Sequence, residues 1–74
     1  MKTINLKKTG DHLRKLCKEQ GYSVHDLQDS LHIGSNQAIY SWFNGKSLPS
    51  VDNLAALADL LGYTINELLI IEDQ

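Results

Sequence analysis

Seventy-four residues suffice for one small domain and leave no room for a second domain, a sizeable ligand pocket or an enzyme cleft with a lid. Hydrophobic residues make up 42% of the chain, against one proline and five glycines, a composition that supplies a core and argues against disorder. The net charge of −2 is unevenly divided: residues 1–46 hold all seven Lys and Arg against four acids, and residues 47–74 hold five acids and no base. Such a dipole orients a domain towards a polyanion even when the total is negative, although the basic half is only weakly so.

In chain order, residues 1–8 read as an N-terminal arm whose Ile4 and Leu6 cover an edge of the core. The first helix spans about 9–20, with Leu13, Leu16 and Cys17 on one face and Gly21 stopping it. The second spans 24–32; Ser23 and Asp26 form an approximate capping box, Val24, Leu27 and Leu31 face inwards, and Gly34 breaks it. A third runs over 36–44, with Ser35 as N-cap and Asn44-Gly45 as its end. The segment 46–50, with Pro49, is a loop. A fourth helix spans 51–61 between Ser50 and Gly62, with Val51, Leu54, Leu57, Ala58 and Leu61 turned to the core. Thr64 and Glu67 form a capping box that starts a fifth over 65–71, followed by a tail at 72–74. No strand hairpin is legible, so the expected fold is all-α: a compact bundle of five short helices.

The third helix carries the chemistry. At about 100° per residue, Asn36, Gln37, Tyr40, Ser41 and Asn44 fall on one arc, and Ala38, Ile39, Trp42 and Phe43 on the other. A solvated helix face ordinarily carries Lys and Glu; this one carries amides, a phenol and a hydroxyl. Asn and Gln make bidentate contacts to adenine in the major groove, so the arc suits base reading as well as simple solvation. The aromatic arc suits core packing better than stacking on single-stranded bases.

Two short helices, a turn holding Gly34 and a polar-faced helix are the parts of a helix-turn-helix. The runs LRKLCKEQGYSVHDLQDSLHI, QAIYSWFNGKSLPS and VDNLAALADLLGYTINELL, in that order, resemble the Cro and phage-repressor (XRE) family of bacterial regulators. The most specific parts are Asn44-Gly45-Lys46, Leu48-Pro49 and Leu54-x-x-Leu57-Ala58-x-x-Leu61-Gly62. The resemblance implies a lambda-repressor-like DNA-binding fold acting on double-stranded DNA as a repressor. It implies base contacts from Asn36, Gln37 and Ser41, with Tyr40 reaching a base, a thymine methyl or a phosphate, and backbone contacts from Ser35, Asn44 and Lys46.

Departures from the family are specific. Val24 stands where a phosphate-touching Gln is usual, Gln28 where a small Ala packs, and His32 where Gly opens the turn, which is also one residue longer. An Arg–Glu pair that many members share is replaced on both sides, by Cys17 and Phe43, which predicts direct apolar packing between them.

His12, His25, His32 and Cys17 have no metal-ligand spacing, so no metal or cofactor is expected, and no nucleophile–base set supports an enzyme. The lone cysteine, the absence of an apolar leader in MKTINLKK and the lack of any run near the ~20 residues of a membrane span predict a cytoplasmic protein. Lys7 and Lys8 fit a solvated edge or added phosphate contacts. Leu69, Ile70 and Ile71 fit packing under the first helix or a homodimer contact that presents two reading helices to half-sites. The rival function is a protein-interaction module, such as a toxin-neutralising antitoxin or anti-regulator, using the acidic half to bind its partner.

Overall fold

Apolar side chains at helical spacing draw the chain into five helices, and the computed structural model describes residues 1–73 of it. The elements are β1 (Lys2–Ile4), α1 (Leu6–Glu19), α2 (Val24–Leu31), α3 (Gln37–Phe43), α4 (Val51–Leu61), α5 (Ile65–Leu68) and β2 (Ile71–Asp73). One core holds them together, formed by Leu13, Leu16 and Cys17 of α1, Leu27 of α2, Ile39, Trp42 and Phe43 of α3, four residues of α4, and Leu68. Tyr22, Val24, Leu31 and Ile33 pack around it.

Several boundaries differ from the sequence expectation, each for a local reason. α1 begins at Leu6, three residues early, because Asn5 caps it: its side-chain oxygen accepts from the Lys8 amide at 2.8 Å and its amide nitrogen donates to Glu72. Residues 2–4 are therefore a strand rather than an arm, paired antiparallel with β2 in the register Lys2↔Asp73, Thr3↔Glu72 and Ile4↔Ile71. α5 stops at Leu68 instead of 71, since Leu69 turns to an extended conformation and Ile71 enters the ribbon. Glu72 and Asp73 belong to that strand, and Gln74 of the expected tail lies outside the described residues.

Thr9, wholly buried within α1, ties the two chain ends to the bundle: its hydroxyl accepts from the Ile70 amide at 3.0 Å, while the Asn5 amide donates to the Ile70 carbonyl at 2.9 Å. Val51 does not face the core but is 75% exposed, because the inward stripe of α4 begins one turn later at Leu54.

The α2–α3 turn also ends differently from expectation. His32, not Gly34, terminates α2, in the left-handed conformation at φ 55° and ψ 43° that glycine adopts most readily. The Ile33 amide then donates to the Gln28 carbonyl at 3.0 Å, closing the helix end, and the Ile33 side chain packs on the core. The turn is thus anchored at Ile33 by an apolar side chain.

Candidate nucleic-acid interface

The position of α3 is set by its crossing with α1. Gly10 lies buried at that crossing, where a Cβ would overlap the Trp42 carbonyl oxygen and approach that of Phe43 at 2.8 Å. Only a residue without a side chain admits so close a backbone contact. Gly45, at φ +73°, ends the α3 turn against the start of α1, where a Cβ would lie 2.6 Å from Lys7 Cα. Ile39, Trp42 and Phe43, at 0%, 4% and 6% exposure, complete the anchorage.

The opposite face is open. Asn36, Gln37, Tyr40 and Asn44 are exposed and Ser41 is half-buried. Ala38, expected on the apolar arc, is exposed beside Gln37 because it sits at the border of that arc. Among the described residues the side chains of Asn36, Gln37 and Tyr40 have no hydrogen-bond partner, so their donors and acceptors remain available.

Three of the other candidate residues have structural work inside the protein. Asn36, rather than Ser35, occupies the N-cap of α3, and Ser35 Oγ accepts from the Gln37 amide at 3.1 Å. Ser41 Oγ lies 2.7 Å from Ser47 Oγ, and the Ser41 carbonyl accepts from the Lys46 amide at 2.9 Å, so Ser41 holds the loop after α3. Asn44 Oδ1 accepts from Arg14 Nη2 at 3.1 Å, which leaves its amide N–H groups to donate outwards. Lys46 is exposed just past the helix, with no acidic partner among the described residues.

Arg14, Lys18 and Ser47 are neighbours of this face that sequence reasoning passed over. The Arg14 guanidinium sits 5.4 Å above the Phe43 ring, a cation–π geometry. The i, i+4 spacing of Arg14 and Lys18 was a usable signal; the Ser41–Ser47 pair, made across a loop, had none. Cys17 and Phe43, the replaced pair, are both buried in the core cluster and border the same groove. Burial raises the Cys17 thiol to about 11, so it stays protonated and unreactive at neutral pH.

At the start of α2, the Ser23 amide donates to Asp26 Oδ2 at 2.9 Å and Ser23 Oγ accepts from the Asp26 amide at 3.1 Å. Hydrogen bonding from Ser23, its backbone amide first and its hydroxyl second, holds the Asp26 carboxyl below its ordinary value and keeps a negative charge at this helix end. No helix among the described residues is long and apolar enough to cross a membrane.

Comparison with known proteins agrees with this geometry. The "26 kDa repressor protein" of Escherichia phage HK022 is 37% identical over 51 residues, 65% of this chain but only 22% of that protein's length. Among solved structures, the restriction-modification controller protein C.AhdI from Aeromonas hydrophila superposes with a TM-score of 0.74 at 27% identity, over 85% of this chain and 94% of that one. The DNA-binding domain of BldD from S. venezulae superposes with a TM-score of 0.73 at 31% identity, over 89% and 97% of the two chains. A family model described as helix-turn-helix matches residues 13–68. The chain belongs to the helix-turn-helix family, in its Cro and phage-repressor-like branch.

Proposed function

We propose that the chain is a sequence-specific, double-stranded-DNA-binding transcriptional regulator, acting in the cytoplasm as a repressor by occupying its operator, with α3 as its reading helix in the major groove. The observation that carries this reading is the pairing of faces on α3: unpartnered amide and phenol groups outwards, a buried aromatic anchor inwards. Likeness to the DNA-binding domain of BldD and to a phage repressor supports it. Asn36, Gln37 and Tyr40 contact bases, Ser41 contributes through whatever its bond to Ser47 leaves free, and Ser35, Asn44 and Lys46 hold the backbone. Phosphate contacts set register and base contacts carry sequence information.

Selection from a random duplex pool, followed by binding across a salt series, tests the reading: an enriched motif with steep salt dependence supports it, and an empty selection removes it. On the selected site, Gln37→Ala costs about 1–3 kcal/mol and relaxes one base position. Lys46→Ala weakens all sequences alike and lowers the salt slope by about one. Equal loss on matched and mismatched sites for both variants sinks the assignments.

A homodimer is the assembly this reading favours, because one small headpiece reads few base pairs. Leu69 and Ile70 are half-buried against the bundle, whereas Ile71 (42% exposed) and Leu6 (39%) share a shallow apolar groove beside the ribbon, whose edges are open. Sedimentation at micromolar concentration, with and without operator, shows a dimer on this proposal; monomer alone under both conditions refutes it.

A further inference from the structure

We infer that Arg14 and Lys18 of α1 grip the phosphodiester strand bordering the major-groove segment that α3 reads, with the cleft between α1 and α3 as the seat of that strand. This rests on the DNA-reading assignment and adds a binding site to it.

A helix is about 10–12 Å across with its side chains, and the major groove is about 12 Å wide. A helix seated there brings the sugar–phosphate walls against whatever flanks it. On one side of α3 the flank is a groove lined by Arg14, Lys18, Tyr22, Ser23, Tyr40 and Phe43, together with small or apolar residues and no acid. Tyr40 belongs to both this groove and the open face of α3, so the two surfaces are continuous.

The cations are distributed accordingly. Lys7 is neutralised by Asp11 at 2.8 Å and Lys8 by Glu72 at 3.4 Å, both at the far end of α1 and the ribbon. Arg14 and Lys18 are exposed, lie one helical turn apart, and have no acidic partner among the described residues. Two uncompensated positive charges beside an acid-free groove suit a polyanion.

Arg14 is also held in place before any ligand arrives. Its guanidinium rests over Phe43 and gives one N–H to Asn44, leaving four donors in a planar fork that matches phosphate oxygens. Both restraining residues belong to the end of α3, so the fork travels with the reading helix. Ordering the side chain in advance removes part of the entropy lost on binding. The neighbouring start of α2 offers a poorer seat, since the Asp26 carboxylate already occupies it.

The test uses the full chain on its selected duplex, comparing Arg14→Gln, Lys18→Gln, the double variant and Lys15→Gln. Lys15 is an exposed cation of the same helix that does not line the groove. Each of the first two variants lowers the slope of log K against log salt by about 0.9, the double variant by about twice that, and Lys15→Gln leaves it unchanged. The ratio of matched to mismatched affinity stays within twofold of wild type, because phosphate contacts carry no sequence information. The Lys18 side chain has no hydrogen-bond or ion-pair partner among the described residues, so its variant stays informative even where Arg14→Gln perturbs folding. Wild-type slope in Lys18→Gln and in a folded double variant overturns this inference while leaving α3 as the reading helix. Failure of the wild-type chain to enrich any duplex overturns both.

Discussion

The α1–α3 crossing and the β1–β2 ribbon both join distant parts of the chain, but by different physics. At the crossing, backbone meets backbone across Gly10, with Trp42 and Phe43 buried over it. At the ribbon, three residue pairs close the chain ends with exposed ion pairs, one of them the amino terminus with Asp73 at 3.4 Å. Close packing has no slack, whereas exposed charge pairs exchange readily with water and are worth about 0–1 kcal/mol each. The helix that has to be placed accurately is thus held by close backbone packing, and the chain ends by a few hydrogen bonds around the buried Thr9 hydroxyl, to which the exposed ion pairs add little.

The strongest way to break that contrast is Gly10→Ala. The added methyl has backbone oxygens in its way rather than movable side chains, so stability falls by about 1–3 kcal/mol or more and DNA binding falls with it as α3 shifts. Gly34→Ala, where a Cβ meets nothing within 4 Å and φ is not positive, stays within about 0.5 kcal/mol of wild type. Denaturant midpoints of the two variants compare them directly; equal midpoints contradict the packing account.

Next in size is Thr9→Val, which keeps the shape but leaves the partly buried Ile70 amide without its acceptor, at a cost of about 1–3 kcal/mol. Lys8→Met removes only an exposed pair with Glu72 and costs less than about 1 kcal/mol. If the order of these two is reversed, the ribbon is held by its ion pairs and not by the buried hydroxyl.

Smaller still is His32→Gly. It relieves a left-handed residue but adds freedom to the unfolded chain, and the balance is a gain of about 0.5–1 kcal/mol by thermal unfolding. A loss of stability would mean that the His32 side chain does more than tolerate its backbone.

The smallest effect is a pH dependence. Hydrogen bonds from Ser23 and Thr64 lower the carboxyls of Asp26 and Glu67 in the folded protein. Their contribution is complete above the unfolded values, about 4, and is lost as pH falls through the lower folded values. The doubly substituted Asp26→Asn, Glu67→Gln chain therefore shows a shallower acid limb in stability measured from pH 5 to pH 2. An unchanged limb removes the capping boxes as its cause.

Residues whose role depends on chain neighbours were legible in advance. Leu54, Leu57, Ala58 and Leu61 repeat at helical spacing and are buried; Ser23 with Asp26 and Thr64 with Glu67 cap the helices that they precede. The two faces of α3 were legible for the same reason, apart from Ala38 at the border. The role of Gly10 was not legible, because glycine disfavours a helix locally and only the carbonyls of Trp42 and Phe43 explain its presence inside one. The contacts of Arg14 were opaque too, since its partners Phe43 and Asn44 lie about thirty residues away in the chain.

The amino-acid order alone determined the number and kind of helices and which face of α3 is apolar, because periodicity and caps are interactions between residues within about four positions. Tertiary structure decided what joins the ends into a ribbon, how near α3 approaches α1, and which cations remain free beside it. Those depend on atoms brought together from opposite ends of the chain, where no local pattern records the distance.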